Sequence, residues 1–253
     1  MPAAADPPAD GLVPRPAAGR IFEEARRVRL ADVDPAGRVR LDATTRYLQD
    51  LSADDTADAA LEEAEAWVVR KTVIEVRKVP RYLEALELAT WCAGIGSHYA
   101  ERRISIVGER GGAVEAATTW VHVDPRRGRP ARVPAGFEDL YGEASGGRRI
   151  TARLTHPDPP AAGVERSPWP LRATDFDVLA HVNNAAYWEA VEESLLDRGE
   201  RRGPVRAELE HRRAVEPGAV VERLVAGEEG GLRVWLLADD VVAASAVVRS
   251  LSP

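Results

Sequence analysis

An internal repeat constrains the fold of this chain more than any other feature of its 253 residues. Residues 29–39 read RLADVDPAGRV and residues 172–182 read RATDFDVLAHV, so R-x-x-D-x-D-x-x-x-[R/H]-V occurs twice, 143 positions apart. Two weaker echoes follow in the same order: IEVRKVP at 74–80 against LEHRRAV at 209–215, and GERGG at 108–112 against GEEGG at 227–231. Repeated patterns in a conserved order indicate a duplicated structural unit. The sequence therefore predicts two copies of one module.

Both copies predict the same order of strands around the repeated turn. A short strand, near 21–30 in copy one and near 166–173 in copy two, leads into the D-x-D turn. Four strand-like runs follow in each copy, near 67–79, 84–95, 99–108 and 113–123, and near 204–213, 219–227, 231–238 and 241–250. The glycine-rich segments 109–112 and 228–231 are typical of hairpin turns.

A helix is predicted between the D-x-D turn and the four strands of each copy. In copy two, Asn183 or Asn184 can cap its start, because a side-chain oxygen there accepts a backbone N–H. Tyr187, Val191 and Leu195 then form an apolar stripe at helical spacing. One long helix against an antiparallel sheet predicts an α+β layer pair in each module.

Two stretches fall outside the repeated modules. Residues 1–19 are rich in proline and alanine and lack the apolar core of a secretory signal, so a disordered tail is expected. Residues 124–165 are rich in proline and glycine with little periodicity, which predicts a linker. The modules are then residues 20–123 and residues 166–253, and the second carries the candidate site described below.

Composition excludes several classes of function. A net charge of −7 argues against broad nucleic-acid binding. No apolar run approaches the roughly 18 residues of a membrane helix, so a cytoplasmic protein without membrane contact is expected. Cys92 is the only cysteine, which excludes an internal disulfide and a cysteine zinc site. The histidines lack metal-ligand spacing, so neither a metal nor another cofactor is expected.

The segment RATDFDVLAHVNNAAYW at 172–188 resembles the signature of the acyl-ACP thioesterase family, D-x-N-x-H-V-N-N-x-x-Y. The matching positions are Asp177, His181, Val182, Asn183, Asn184 and Tyr187. Supporting similarities occur in copy one at 47–50, 67–70 and 90–91, and the resemblance spans about residues 20–250. It implies a double hot-dog fold and a thioester hydrolase that releases a fatty acid from acyl carrier protein in fatty acid biosynthesis.

The matched residues predict how such a site works. His181 has a pKa range suited to a general base, and Asp177 either orients its imidazole or activates water itself. Backbone N–H groups at the helix start can polarise the thioester carbonyl. Asn183 is assigned with Asp177 and His181 to catalysis, and Asn184 and Tyr187 to substrate binding; Asn183 and Asn184 can also act simply as caps. No serine or cysteine adjoins His181, which favours direct attack by water.

Two departures from the family pattern stand at Leu179 and Ala214. Leu179 replaces an asparagine, and Ala214 replaces an acidic residue that follows an arginine pair in the family. Glu210 and Glu216 alternate with Ala214 on the same strand face, and either is a candidate replacement for the missing carboxylate. Glu193 matches an acidic helix position, but it lies opposite the apolar stripe and is expected to be solvated.

Copy one is not expected to be catalytic, because Arg38 stands where copy two has His181. Copy one would instead help to enclose the acyl tail. Two other functions remain open: an acyl-CoA thioesterase of the same fold, and a non-catalytic acyl- or carrier-binding protein. A tandem chain can pair its own modules as a monomer with an internal pseudo-dimer, although a homodimer is also possible.

Docking of an acidic carrier protein on this acidic chain would need a local basic patch. Two arginine clusters are candidates. The first contains Arg126, Arg127, Arg129, Arg132, Arg148, Arg149 and Arg153. The second contains Arg201, Arg202, Arg206, Arg212 and Arg213. It is closer in sequence to the turn that carries Asp177 and His181. The alternative is that these arginines are solvated or paired with neighbouring acids.

Overall fold

The computed structural model describes residues 12–60, 67–124, 126–134, 136–199 and 203–251. These residues form three α-helices, α1 Leu41–Asp58, α2 Phe137–Ser145 and α3 Asn184–Asp197. The strands are β1 Ile21–Arg27, β2 Trp67–Lys78, β3 Ala85–Ile95, β4 Tyr99–Gly108, β5 Ala113–Asp124, β6 Arg129–Pro130, β7 Glu165–Pro168, β8 Val205–His211, β9 Val221–Glu228, β10 Gly231–Ala238 and β11 Val241–Ser250. Among the described residues, no helix has the length and apolarity needed to cross a membrane.

The strands form one antiparallel sheet in which equivalent strands of the two modules follow one another in the same order from the centre outwards. It runs β1-β3-β4-β5-β2-β8-β11-β10-β9-β7, with β6 paired to β5. Outward from the central β2–β8 pair, β5, β4, β3 and β1 on one side correspond to β11, β10, β9 and β7 on the other. Each half of the sheet therefore belongs to one copy of the repeat.

The register of β2 and β8 shows a pseudo-twofold between the modules. Lys71 lies opposite Glu210, and Glu75 lies opposite Arg206. The repeat that aligns residues 74–80 with 209–215 carries Lys71 to the position of Arg206 and Glu75 to that of Glu210. The two cross-strand pairs therefore exchange under the repeat, which is what a twofold axis between antiparallel strands requires.

The core lies between one face of this sheet and helices α1 and α3, which contact each other. Leu48 of α1 and Trp188 of α3 are buried there together with Ile74 of β2 and Leu209 of β8. Because side chains alternate along a strand, Glu208 and Glu210 lie on the opposite face from Leu209. The predicted α+β architecture of two related modules is confirmed by this arrangement.

The linker and the tail differ from the structureless segments that were expected. Within residues 124–165, α2 packs on β3, and Phe137 and Tyr141 are buried in a cluster of their own. Residues 1–11 of the expected tail lie outside the described residues. The part of the tail from 12 to 19 contacts the sheet: the carbonyl of Val13 accepts a hydrogen bond of 2.6 Å from Arg103. Val13 also packs against a buried apolar cluster, which explains why this part is ordered.

Candidate active site

The turn Asp177–His181 of module two, which is the candidate reactive turn, is closed by its own backbone and by one carboxylate oxygen. The N–H of Asp177 donates to the carbonyl of His181 at 2.9 Å, and the N–H of Ala180 donates back to the Asp177 carbonyl at 3.0 Å. Asp177 Oδ1 accepts the N–H of Leu179 at 2.9 Å, with that of His181 at 3.4 Å. Ala180 has a positive φ of 57°, which a tight turn requires. One oxygen of Asp177 therefore holds the turn in shape.

The second oxygen of Asp177 and the His181 imidazole are open to a ligand. Both side chains are half-buried. Within the part of the chain that the structure describes, Asp177 Oδ2 and both ring nitrogens of His181 make no hydrogen bond. The structure brings the two predicted residues into one turn, but it does not show Asp177 orienting the imidazole.

Helix α3 begins directly after this turn. Asn183 is its N-cap, and Asn183 Oδ1 accepts the N–H of Ala185 at 2.9 Å. Its own N–H donates to the carbonyl of Asp175 at 2.8 Å, which ties the cap to the preceding 3-10 turn. Asn184, the first helical residue, makes no hydrogen bond to any described group through its N–H or its side chain. The helix start thus presents an open N–H at its positive end.

Tyr187 lies in the first turn of α3, four residues after the cap residue Asn183. The side chain is buried, and its ring meets the ring of His211 edge-on at 4.9 Å between centroids. Burial raises the pKa of Tyr187 to about 12, the nearby Val215 backbone lowers it, and the charges of Asp177 and Arg213 act on it in opposite directions. Tyr187 is therefore a neutral hydroxyl near physiological pH, close to both Asp177 and the segment after β8.

No carboxylate takes the place of the acid that is missing at Ala214 in the described structure of this segment. Strand β8 ends at His211, so Ala214 and Glu216 are not on a strand, and Glu216 is exposed. Glu210 is fully buried on the sheet face away from α3, where it accepts the N–H of Thr155 at 2.9 Å. The hypothesis that Glu210 replaces the missing acid is therefore wrong.

His211 and Glu193 are also excluded as acid–base groups of this site. Burial, with a contribution from the charge of Arg70, lowers the pKa of His211 to about 4. The imidazole is consequently neutral near pH 7 and packs against Tyr187. Glu193 is exposed, as its place opposite the apolar stripe predicts, and it lines a cleft next to the module-one turn instead.

The corresponding turn of module one has the same backbone but closed side chains. Asp34 Oδ1 accepts the N–H groups of Ala36 and Arg38, both at 2.9 Å. Asp34 Oδ2 accepts from Arg38 Nε at 2.7 Å. Burial alone would raise the pKa of Asp34, but the N–H and guanidinium of Arg38 lower it below its ordinary value. Gly37, with a φ of 73°, occupies the position of Ala180.

A cleft of about 640 Å³ lies between the module-one turn and α3. Asp34 and Glu192 both line it, and Arg40 pairs there with Asp42 at 2.9 Å. The carboxylate of Glu192 accepts the N–H of Leu41, the first residue of α1, at 2.9 Å. The helix start of α1 is thus already occupied by the protein itself, unlike that of α3.

The paired modules, each with a long helix on its half of the sheet, define a double hot-dog protein. The sequence matches the family models of the acyl-ACP thioesterase N-terminal domain over residues 19–141 and C-terminal domain over residues 160–242. The chain belongs to the acyl-ACP thioesterase family. The family, the fold and the thioester hydrolase function predicted from the sequence are thereby confirmed.

Related proteins cover nearly the whole chain. An uncharacterized protein of Mycobacterium tuberculosis, Rv2001, is 31% identical over 241 residues, 95% of this chain and 96% of the relative. The 12:0-ACP thioesterase from Umbellularia californica has a similar structure, with a TM-score of 0.74 at 20% identity over 90% of this chain and 96% of that one. An acyl-ACP thioesterase from Bacteroides thetaiotaomicron gives a TM-score of 0.74 at 16% identity over 90% and 97%. At these identities the two structures support the fold alone.

Proposed function

We propose that the chain hydrolyses acyl-ACP at a single site, formed by the turn Asp177–His181 and the start of α3. The observation that carries this proposal is the difference between the two turns. Asp34 has both oxygens engaged by its own loop and Arg38, whereas Asp177 keeps one oxygen open beside an imidazole. Only the second arrangement can take a proton from a bound water.

In the proposed reaction, water attacks the thioester carbonyl carbon directly. The proton of the water passes to the His181 imidazole, with Asp177 Oδ2 as the alternative acceptor. The tetrahedral intermediate then collapses, the C–S bond breaks, and the departing sulfur takes up a proton. The products are a fatty acid and the free thiol of the carrier. A positioned base of this kind contributes about 10²–10⁴-fold to the rate.

Negative charge on the carbonyl oxygen would be stabilised at the start of α3. The open N–H of Asn184 and the positive end of the helix dipole act on that oxygen. The side-chain NH2 of Asn183 and the Tyr187 hydroxyl are further donors in reach of a substrate at the turn. Asn183 holds its own position by capping the helix with its oxygen.

Of the two arginine clusters, the second is largely used within the protein. Arg206 pairs with Glu75 at 2.5 Å, Arg212 pairs with Asp158, and Arg213 lies 3.8 Å from Asp239. The other two members, at positions 201 and 202, lie outside the described residues. Pairing of this kind reduces the positive charge available to a carrier.

The first cluster keeps more of its charge. Three members pair with acids: Arg148 with Glu101, Arg149 with Glu138, and Arg127 with Asp124. The other four are exposed and make no ion pair within the described ranges: Arg126, Arg129, Arg132 and Arg153. We therefore assign carrier docking to these four, which we call the linker arginines.

The test is turnover of acyl-ACP and acyl-CoA with matched acyl chains over a salt series. Docking on the linker arginines predicts that kcat/KM for acyl-ACP falls with salt, because the Debye length shortens from about 10 Å at 0.1 M to about 3 Å at 1 M. Changing Arg126, Arg129 and Arg132 to Glu should lower acyl-ACP turnover at least about tenfold and leave a short uncharged acyl thioester unaffected.

Other outcomes would favour the other functions. A flat salt response together with faster acyl-CoA turnover supports an acyl-CoA thioesterase. Binding of both substrates without turnover supports an acyl-binding protein. The β2–β8 pairing lets one chain supply both modules, so we propose a monomer; a homodimer by sedimentation at micromolar concentration would contradict it. The cytoplasmic location stays a prediction.

A further inference from the structure

This chain has only three side chains that carry an amide. The sequence contains a single glutamine, Gln49, and only two asparagines, Asn183 and Asn184. The two asparagines form the start of α3, and Gln49 lies on α1 in the other module. We propose that Gln49 completes the module-two site and donates a hydrogen bond to the thioester carbonyl oxygen. This inference rests on the function proposed above.

The pseudo-twofold relates Gln49 to a contact that is seen directly in module one. Helix α1 begins at Leu41 and α3 at Asn184, so Glu192 of α3 and Gln49 of α1 occupy equivalent positions, each eight residues after the helix start. The Glu192 carboxylate accepts the N–H of Leu41 at 2.9 Å across the helix pair. The same twofold brings Gln49 to the N–H of Asn184.

The cleft of module one is a second observation that supports this placement through the same twofold. Its lining includes Asp34 of the turn and Glu192 of the opposite helix, so the two face the same space. Under the twofold, the equivalent residues are Asp177 and Gln49. The counterpart space next to the reactive turn is therefore lined by the open carboxylate on one side and by the glutamine amide on the other.

The two equivalent pairs differ in a way that suits ligand binding. In module one, the carboxylate occupies the helix-start N–H and closes it. In module two, the half-buried side chain of Gln49 makes no hydrogen bond to a described group, and the Asn184 N–H has no described acceptor. An amide and a backbone N–H are left open at one point in the site.

Charge explains why an amide, and not a carboxylate, suits the reactive side. A carboxylate at this point would repel the oxyanion that forms during water attack and would compete for the Asn184 N–H. The neutral Gln49 NH2 instead donates to the developing oxyanion. Removing one such donor from an acyl-transfer site costs about 10²–10³ in kcat where the donor is fully preorganised.

The experiment gives module two the residue of module one and uses the reverse change as its control. Gln49→Glu should lower kcat for acyl-ACP by at least about a hundredfold with little change in KM, and Gln49→Ala by about tenfold. Glu192→Gln, the matched change on the non-catalytic side, should leave kcat within about twofold, because it keeps an acceptor oxygen for Leu41. Equal losses in Gln49→Glu and Glu192→Gln would overturn the proposal.

The pH profile adds a signature that a purely structural role would not produce. The ratio of Gln49→Glu activity to wild-type activity should rise as pH falls through the ordinary glutamate range near about 4.3, because the protonated carboxyl can donate again. A ratio that is constant with pH would contradict a role in stabilising negative charge.

A binding measurement separates this inference from the proposed hydrolysis. The probes are a 2-oxoalkyl thioether of the carrier, which keeps a carbonyl but cannot be hydrolysed, and the alkyl thioether without the carbonyl. Gln49→Glu should weaken binding of the first at least about fivefold and leave the second unchanged. If Gln49→Glu weakens binding of the carbonyl-containing probe but the wild type shows no turnover, the hydrolase proposal is disproved and the assignment of Gln49 stands. If the wild type turns over substrate but Gln49→Glu binds both probes as tightly as the wild type does, the assignment of Gln49 is disproved. The assignment is also disproved if the wild type binds the two probes equally well.

Discussion

The Asp34 turn of module one and the Asp177 turn of module two follow the same backbone path and differ in what their side chains leave open. In each, the aspartate Oδ1 accepts N–H groups of its own loop, and a residue with positive φ completes the turn. In module one, Arg38 takes the second carboxylate oxygen at 2.7 Å. In module two, His181 occupies the position equivalent to Arg38, but its side chain makes no hydrogen bond to Asp177.

The difference shows how one residue separates a structural turn from a reactive one. A guanidinium is always charged and binds a carboxylate firmly, so we expect the Asp34 turn to contribute to stability. An imidazole is charged or neutral near physiological pH, and it can accept a proton. The duplicated module thus keeps the same backbone turn in both copies, and the proposed site uses only the copy whose carboxylate is open.

The largest expected effect comes from transferring the module-one residue into module two. His181→Arg would pair with Asp177 as Arg38 pairs with Asp34, and both His181→Arg and His181→Ala should lower kcat/KM by at least about a hundredfold. Arg38→His and Arg38→Ala should stay within about threefold of wild type, since module one has no reactive turn. Steady-state assays with acyl-ACP measure both. Equal losses in folded Arg38 and His181 variants would disprove the single-site assignment.

A smaller effect should distinguish the two aspartates. Asp177→Asn keeps an oxygen for the Leu179 N–H but removes the charge, and we expect about a tenfold to hundredfold loss of kcat with unchanged stability. Asp34→Asn should do the opposite, because Arg38 loses a buried partner: activity is kept and the free energy of unfolding drops by about 1–3 kcal/mol. Urea denaturation, monitored by tryptophan fluorescence, measures the free energy of unfolding of Asp34→Asn and of wild type. An active Asp177→Asn variant would assign the proton transfer to His181.

The pairing of β2 with β8, which joins the two modules, should become less stable in acid because Glu208 is protonated. Burial alone would raise the pKa of Glu208, but hydrogen bonds and charges from Lys71 and Arg206 lower it to about 2. Since the pKa of an unfolded glutamate is near 4.5, this stabilisation is present above pH 4.5 and is lost as pH falls towards 2. Partial exposure reduces the expected contribution to about 1–2 kcal/mol.

Glu208→Gln tests that contribution. Its free energy of unfolding should be lower than that of wild type at pH 6, and the gap should narrow as pH is lowered from 4.5 towards 2. Lys71→Met should show the same trend, because the 2.6 Å ion pair crosses from one module to the other. If the free energies of unfolding of wild type and Glu208→Gln change with pH in parallel, protonation of Glu208 does not contribute to the stability of the β2–β8 pairing.

Local patterns were enough to predict most of the fold. Strands β4, β10 and β11 begin and end at the residues that alternation and turn chemistry indicate, and the repeat predicts the paired modules. Helix α2 was missed inside the linker, although Phe137, Leu140, Tyr141 and Ala144 form an apolar stripe at helical spacing. That short stripe is flanked by glycine and proline, which drew the prediction towards a loop.

The candidate site was predictable only in part. The H-V-N-N text located the turn, the cap and Tyr187, since these lie within a few residues of one another. Glu210 was misjudged, because alternation cannot say which face of β8 meets the helices when the strand end is unknown. The state of the Asp177 carboxylate also depends on hydrogen bonds that a sequence pattern does not show.

By itself the sequence determined the elements, the duplication and the location of the reactive turn, because periodicity, turn residues and repeated motifs are local properties. The tertiary structure decided which groups meet across the modules. Glu192 and Leu41 are 151 positions apart, yet they are joined at 2.9 Å because a twofold axis sets α1 against α3. Whether a carboxylate of the opposite helix reaches a helix start depends on that axis, and no local pattern encodes it.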